Sequence, residues 1–420
     1  MSLGKSGKPG RVLVLGDYRQ TVTVVRSLAR AGYEVTLGTD QACSSTAVSR
    51  HVADVWVYDK SSSQRFYNGL EAFLRDERPD FVFTVGESQL RGLIELAPRL
   101  EPLSTWVNPD FATVGRCFDK RAMYELAPKL GIPSVPWSAF TSAPEWRSTA
   151  AAMGFPVVVK RKDSAGRLQE RKALIYDSAE AFETFLATLP REPDRGSLLL
   201  QKFAAGVRHN CHVGAADGKL VAYFQQKVLR TDEPDDTGIG VAGVSIEPWP
   251  ELRAHCEAMT MALGYTGIGC IQFLVDEHTG KVAFLEFNAR MDSTAALPYR
   301  MGLDYPLLAI ELARYRKARK AGRADAQHLL PQPHPERYPA GITYHWLYGD
   351  VGAVLNEVRS GKMPLRALLW RACSLAWLSL RSYHLTFDWR DPLPTIHMFW
   401  CQYLKNPLLR RLPVVRPVAR

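Results

Sequence analysis

Short, wholly apolar runs alternate with helical patterns along the first hundred residues. Arg11 to Leu15 (RVLVL) is apolar on both faces, as a strand buried in a parallel sheet must be. Val24, Val25, Leu28 and Ala29 then recur at helical spacing until Gly32, and a second strand, Glu34 to Leu37, follows at once. That strand–helix–strand order predicts a doubly wound sheet, which the runs Val55 to Tyr58, Phe81 to Val85 and Thr105 to Val107 extend. The expected first domain covers residues 11–114, after a flexible leader at 1–10.

The pattern changes at Phe118. A helical stretch runs to Leu130 and stops at Gly131, and Gly131-Ile132-Pro133-Ser134-Val135-Pro136 then forces extended backbone, because a residue before proline is excluded from the helical region. Strands at Pro156 to Lys160, Ser197 to Phe203, Cys211 to Ala215 and Leu220 to Gln226, with helices at Ala179 to Leu189 and Leu252 to Leu263, predict an α+β domain over 115–312. Asp217-Gly218 marks one hairpin turn. A second hairpin joins Gly269 to Val275 with Lys281 to Asn288, and residues 313–420 read as a helical, basic, tryptophan-rich region. The fold class is therefore α/β and α+β, in three parts.

The second hairpin carries the chemistry. Side chains alternate along a strand, so Glu286 and Asn288 share a face and Arg290 continues their phase. If the loop is His278 to Gly280, constant-sum pairing sets Gln272 opposite Glu286. A carboxylate and two amide oxygens are hard ligands suited to magnesium, and a guanidinium beside them suits a phosphoryl group. Polar residues alternating on a strand are ordinarily its solvated face. The strongly apolar neighbours Ile271, Phe273, Phe284 and Phe287 argue for a lined cleft instead.

Lys160 closes its strand and Lys120 opens its helix, positions from which an ammonium reaches a phosphate. Glu87, at the end of a first-domain strand, is a candidate for an ammonium, or otherwise an ordinary surface ion.

Composition narrows the field. With 420 residues, 46% hydrophobic and 23% charged, the chain is not dominantly disordered. Its net charge of +10 is concentrated late, where nine Lys or Arg and two Asp lie between Arg366 and Arg420, interleaved with Trp370, Trp377, Trp389 and Trp400. Arginine with tryptophan suits the headgroup layer of an anionic membrane, and suits equally a helical cap packed on the core. Seven scattered cysteines without a C-x-x-C pair indicate neither a disulfide framework nor a zinc site. No apolar run is long enough for a bilayer span and MSLGKSGKPG lacks a signal-peptide core, so the expected location is cytoplasmic, with a peripheral contact on the inner membrane face as the further option.

Three look-alikes fall away on context. Gly238 to Gly243 has the dinucleotide fingerprint but follows an acidic loop and reads as a flexible loop, Gly4-Lys5-Ser6 has no strand before it, and His209 with His212 lacks a third ligand. No nucleic-acid reading motif is present, so no nucleic-acid partner is expected.

The ordered set Phe118-Asp119-Lys120, Gly131-Ile132-Pro133, Phe155 to Lys160, Leu200 to Phe203 with Gly206, and Gln272 with Leu285 to Arg290 resembles the ATP-grasp superfamily, in its carbamoyl-phosphate-synthase and D-aspartate-ligase branch, over about residues 11–312. The resemblance implies ATP clamped between two lobes, with Lys120 and Lys160 on its phosphates and the backbone of Gln201, Lys202 and Phe203 reading adenine. It further implies that Gln272, Glu286 and Asn288 hold Mg2+, and that Arg290 with Lys160 serves the phosphoryl transfer. Arg230, on the strand that faces the cleft in relatives, is a candidate for the substrate carboxylate, or otherwise an ordinary surface ion. The implied activity is an ATP-dependent carboxylate–amine ligase acting through an acyl phosphate on small-molecule substrates. A second expectation is a nucleotide-binding protein with little turnover, docked through its C-terminal region on a membrane or acidic polymer. This chain departs from the pattern in a lid, Arg161 to Arg167, with one glycine and in Lys202 where relatives carry an acid. The phrase Phe387 to Pro394 resembles tails of ATP-grasp proteins of cell-envelope polymers, which implies a lipid-linked or saccharide substrate.

Overall fold

Among the described residues three sheets carry the fold, and each draws its strands from one stretch of sequence. In this computed structural model the described residues are 9–41, 43–163, 168–169, 171–189, 197–233, 235, 237–334, 337–359 and 365–403. Most of the leader, the core of the expected lid at 164–167 and the tail 404–420 lie outside them.

The first sheet is parallel, with β1 (Arg11–Leu15), β2 (Glu34–Thr39), β3 (Asp54–Val57), β4 (Phe81–Thr84) and β5 (Thr105–Trp106) in the order β3-β2-β1-β4-β5. Strand order reverses between β1 and β4, which opens a crevice at their carboxyl ends. The small lobe is antiparallel, β6 (Trp137–Ala139), β7 (Val157–Arg161), β8 (Ala173–Tyr176) and β9 (Leu198–Lys202) in the order β6-β9-β7-β8. Helices Ala143–Met153 and Ala179–Thr188 cover one face and bury Trp146, Phe182, Val157 and Val159.

The large sheet holds β10 (Val207–Ala216), β11 (Lys219–Thr231), β12 (Gly240–Ser245), β13 (Gly267–Val275), β14 (Val282–Asn288), β15 (Thr343–His345) and β16 (Tyr383–His384), in the order β14-β13-β10-β11-β12-β15-β16. Asp217 and Gly218 make the expected two-residue turn between β10 and β11, with φ 49° and 84°. Those positive values are what a turn matched to strand twist requires.

Four expectations need correction. The helix expected over Phe118 to Leu130 begins two residues later, Lys120–Lys129, because Asp119 caps it by accepting from the Arg121 and Ala122 amides, and Phe118 instead ends a separate helix, Phe111–Phe118. Gly240 to Gly243 belong to β12 rather than to a flexible loop, and a Cβ at Gly243 would stand 2.4 Å from the Tyr344 ring. The boundary expected at 312–313 falls inside one continuous helix, Tyr305–Lys320. The last region is also not purely helical, since β15 and β16 extend the large sheet beside helices Leu347–Arg359, Leu365–Arg381 and Leu393–Tyr403.

The same region closes back on the first domain. Asp391 pairs with the buried Arg26 at 2.9 Å and accepts from Ser49 at 2.6 Å, and Asp388 pairs with Arg30 at 2.9 Å. Buried charges of this kind are tolerated because each is both paired and hydrogen-bonded.

Candidate nucleotide and metal site

The strands β13 and β14 pair as Val275↔Val282, Leu274↔Ala283 and Phe273↔Phe284, and after an irregularity at Leu285 as Gln272↔Glu286. The turn has four residues, 277–280, closed by the Asp276 amide on the Lys281 carbonyl at 2.9 Å, where three were expected. That register alone would set Gln272 opposite Leu285. The bulge adds one residue to β14 and restores the expected pair, and the Leu285 carbonyl accepts from the Tyr124 hydroxyl at 2.8 Å.

Around this pair the expected residues converge. Asn288 Nδ2 donates to Glu286 Oε1 at 2.8 Å, and Arg290 Nη2 donates to Asn288 Oδ1 at 3.1 Å. Lys120 Nζ lies 3.7 Å from Glu286 Oε2 and 3.5 Å from the Arg161 carbonyl, so it stands between the large sheet and the small lobe. Lys160 Nζ donates to the Tyr124 hydroxyl at 2.6 Å. Glu87, the first residue of the helix after β4, lies 3.6 Å from Arg290 and 2.8 Å from Arg91. It sits at the cleft, as the sequence reading placed it, but it faces two guanidinium groups.

Electrostatics polarise the cluster. Burial, then repulsion from Lys120, pushes the Lys160 amine down to about 7 against the pull of Glu286. Burial alone would raise the Glu286 carboxyl, but Lys120, the Asn288 amide, Lys172 and Lys160 together outweigh it and hold the group at about 2. Glu286 is therefore ionised throughout the neutral range.

The large sheet supplies more than the sequence reading found. In register, Glu286 faces Gln272, Gln272 faces Asn210, Asn210 faces Gln226 and Gln226 faces Ser245, a polar row across five strands. Opposed residues of an antiparallel pair share a face, so the row forms one floor. The amide oxygens of Asn210 and Gln226 are buried without a hydrogen-bond partner among the described residues. Tyr124, Lys172, Asn210 and Gln226 are the site residues that sequence reading missed. Neither amide stands out in its strand, since Arg208, His209 and His212 surround Asn210 and Gln225 and Lys227 flank Gln226.

Two expectations fit less well. The amides of Lys202 and Phe203 already donate to the Pro136 and Pro156 carbonyls at 3.0 and 3.2 Å, and the Lys202 ammonium folds onto the Gly154 carbonyl. In this conformation neither N–H is available to a base, while Gln201 is buried between β6 and β7. Arg230 is not brought into the cluster. Its guanidinium pairs with Asp350, a fully buried carboxylate that also meets His345 Nε2 at 2.8 Å and needs a cation. His345 in turn contacts Ser379 at 2.9 Å beside a separate cavity of about 310 Å³.

A small antiparallel lobe set against a larger antiparallel sheet, with lysines of one facing a carboxylate and amides of the other, defines a two-lobed clamp. Residues 119–317, just under half of the chain, match the family described as the carbamoyl-phosphate synthase L chain, ATP binding domain, a match that supports the ATP-grasp resemblance. Among curated proteins, biotin carboxylase from Pseudomonas aeruginosa is 26% identical over 208 residues, 44% of this chain and 43% of that one. Urea amidolyase from Saccharomyces cerevisiae is 26% identical over 196 residues, 44% of this chain and 10% of that one. The chain thus spans less than half the length of these relatives. Among solved structures, the biotin carboxylase–beta-gamma-ATP complex from Campylobacter jejuni has a TM-score of 0.61 at 16% identity, covering 80% of this chain and 75% of that one. N5-carboxyaminoimidazole synthetase from Staphylococcus aureus, complexed with ADP, has 0.60 at 10% identity, covering 81% and 82%. At these identities the likeness is one of fold.

Proposed function

We propose that the protein is an ATP- and magnesium-dependent ligase that activates a small-molecule carboxylate as an acyl phosphate and passes the acyl group to an amine or similar nucleophile. The observation that carries this reading is the meeting of Glu286, Asn288 and Arg290 with Lys120 and Lys160. Phosphoryl transfer asks for little else, since positioning and neutralisation of charge supply most of its acceleration.

The donor set fits magnesium, with one ionised carboxylate and amide oxygens at paired strand positions and two further amide oxygens unsatisfied in the same row. Gln272, Glu286 and Asn288 would hold the ion, which when bound neutralises phosphate oxygens. Lys120 and Lys160 would bind the nucleotide's phosphates from the small-lobe side, and Arg290, held by Asn288, would lie along the path of the moving phosphoryl group. A phosphate-release screen with Mg-ATP across amino acids, hydroxy acids and uronic acids tests the reading. Release dependent on an added carboxylate supports it, and a silent panel counts against it.

The C-terminal region supports a second, peripheral role. On helix Leu365–Arg381 the exposed positions Leu369, Trp370, Cys373, Ala376, Trp377 and Leu380 recur at helical spacing, with Trp370 70% and Leu380 84% exposed. Its charged residues are Arg366, Arg371 and Arg381, and no acid occurs between Glu357 and Asp388. An apolar stripe flanked by cations matches an anionic headgroup layer, and no helix among the described residues is long and apolar enough to cross a membrane. Co-sedimentation with phosphatidylglycerol vesicles but not phosphatidylcholine vesicles, lost in Trp370→Ala/Trp377→Ala, is the expected result. A stable dimer with no affinity for vesicles would assign the stripe to a second copy instead.

A further inference from the structure

We propose that Cys43, His397 and Cys401 form a binding site for a zinc-class divalent cation, which fastens the last described helix to the crevice of the first sheet. Cys43 lies beyond the carboxyl end of β2, on the side where β1 and β4 open the crevice. His397 and Cys401 are four residues apart on helix Leu393–Tyr403 and so project from one face of it. The chain brings these groups together across 354 residues of sequence, which is why cysteine spacing indicated no zinc site.

The distances fit a metal polyhedron. The Sγ atoms of Cys43 and Cys401 are 3.6 Å apart, and His397 Nε2 lies 3.3 Å from Cys43 Sγ and 3.6 Å from Cys401 Sγ. A tetrahedral zinc ion with sulfur at about 2.3 Å and imidazole nitrogen at about 2.0 Å sets its sulfurs about 3.8 Å apart and sulfur from nitrogen about 3.5 Å. The three donors therefore already stand near three corners of one tetrahedron. A disulfide would need the sulfurs at about 2.05 Å.

The surroundings fit as well. Ser45 Oγ lies 3.2 Å from His397 Nδ1, the arrangement that keeps a ligating histidine's second nitrogen in a hydrogen bond and leaves Nε2 facing the ion. Two sulfurs and an imidazole select zinc over magnesium, which separates this site from the oxygen-lined cleft. All three ligands are partly exposed, which gives the ion an entry path and leaves the fourth position to water.

The test uses the full chain. Purified without chelator, the wild type and Cys373→Ser, whose exposed thiol lies on another helix, are expected to hold about one equivalent of zinc by elemental mass spectrometry, and His397→Ala and Cys401→Ser less than about a tenth. Cobalt(II) added to the metal-stripped wild type should give thiolate-to-cobalt charge-transfer absorption in the near ultraviolet, a readout that needs no variant to fold. Substoichiometric zinc in the reconstituted wild type, a cobalt complex without that band, or a Cys43–Cys401 disulfide in the isolated protein would each overturn the proposal.

Discussion

Lys160 Nζ donates to the Tyr124 hydroxyl at 2.6 Å, and Tyr124 donates onward to the Leu285 carbonyl at 2.8 Å, so a single phenol joins β7 of the small lobe to the bulge in β14. With its amine pushed down to about 7, Lys160 is mostly neutral at pH 8 before a ligand arrives. A triphosphate would draw the proton back. Nucleotide binding at pH 8 should therefore take up close to one proton, on the order of 0.5 to 1, and fewer at pH 6, where the amine is already charged. Calorimetry in two buffers of different ionisation enthalpy measures this, and Lys160→Met should abolish it. The same depressed value means the burial cost on stability is fully present below about 7 and relieved as pH rises toward the ordinary 10.5.

Glu286→Gln removes the ionised ligand while keeping its shape. Magnesium-dependent release of ADP and phosphate should fall at least about 100-fold, as loss of a metal ligand generally costs no less than loss of its supporting partner. Melting temperature should fall as well, because a carboxyl held at about 2 stabilises the fold while ionised and its loss leaves Lys120 and Lys160 without their counter-charge, so turnover is compared on folded protein. Unaltered turnover would remove Glu286 from the metal site.

Glu87 distinguishes two arrangements. If it aligns Arg290 and Arg91, Glu87→Gln lowers kcat for phosphate release and leaves the KM of the amine substrate nearly unchanged. If it receives the substrate ammonium, the amine KM rises and the carboxylate-dependent release without amine stays intact. Steady-state kinetics varying each substrate in turn separates these, and the two guanidinium contacts favour the first.

The docking of the last region should be sensitive to acid. For Asp388, burial raises the carboxyl, but hydrogen bonds from Arg30 and the Arg390 amide and the charge of Arg300 outweigh it, down to about 2, and Asp391 is likewise lowered by Ser49 and Arg26. A depressed carboxylate contributes its stability above the ordinary value of 3.8 and loses it as pH falls toward 2. Asp391→Asn should cost about 3–5 kcal/mol at pH 7, since it strands Arg26 in a buried site. The difference from wild type in urea midpoint should narrow as pH falls below 3.8, because the Asp391 carboxyl is lowered from that value.

The strand pattern was legible because burial imposes it. Wholly apolar runs mark β1 and β4, and alternation placed Glu286 and Asn288 together. The Gln272–Glu286 pair was reached through two errors that cancel, a loop one residue too short and an unseen bulge at Leu285. Bulges depend on twist and on an outside acceptor or donor such as Tyr124, none of which is written locally. Arg230 misled for a related reason, since its partner Asp350 lies 120 positions away on a helix that only the completed sheet brings near. Asn210, Gln226 and the Cys43 cluster share that condition: each residue looks ordinary in its own segment, and only pairing across segments gives it neighbours.

The clasp of Arg26 and Arg30 on Asp391 and Asp388 also constrains which related sequences can keep this fold. An arginine buried there without its carboxylate would be a liability, so a chain lacking Asp388 and Asp391 should tolerate the loss only with Arg26 and Arg30 replaced as well. Kindred chains that stop soon after the clamp should carry neutral or small side chains where this one has guanidinium groups.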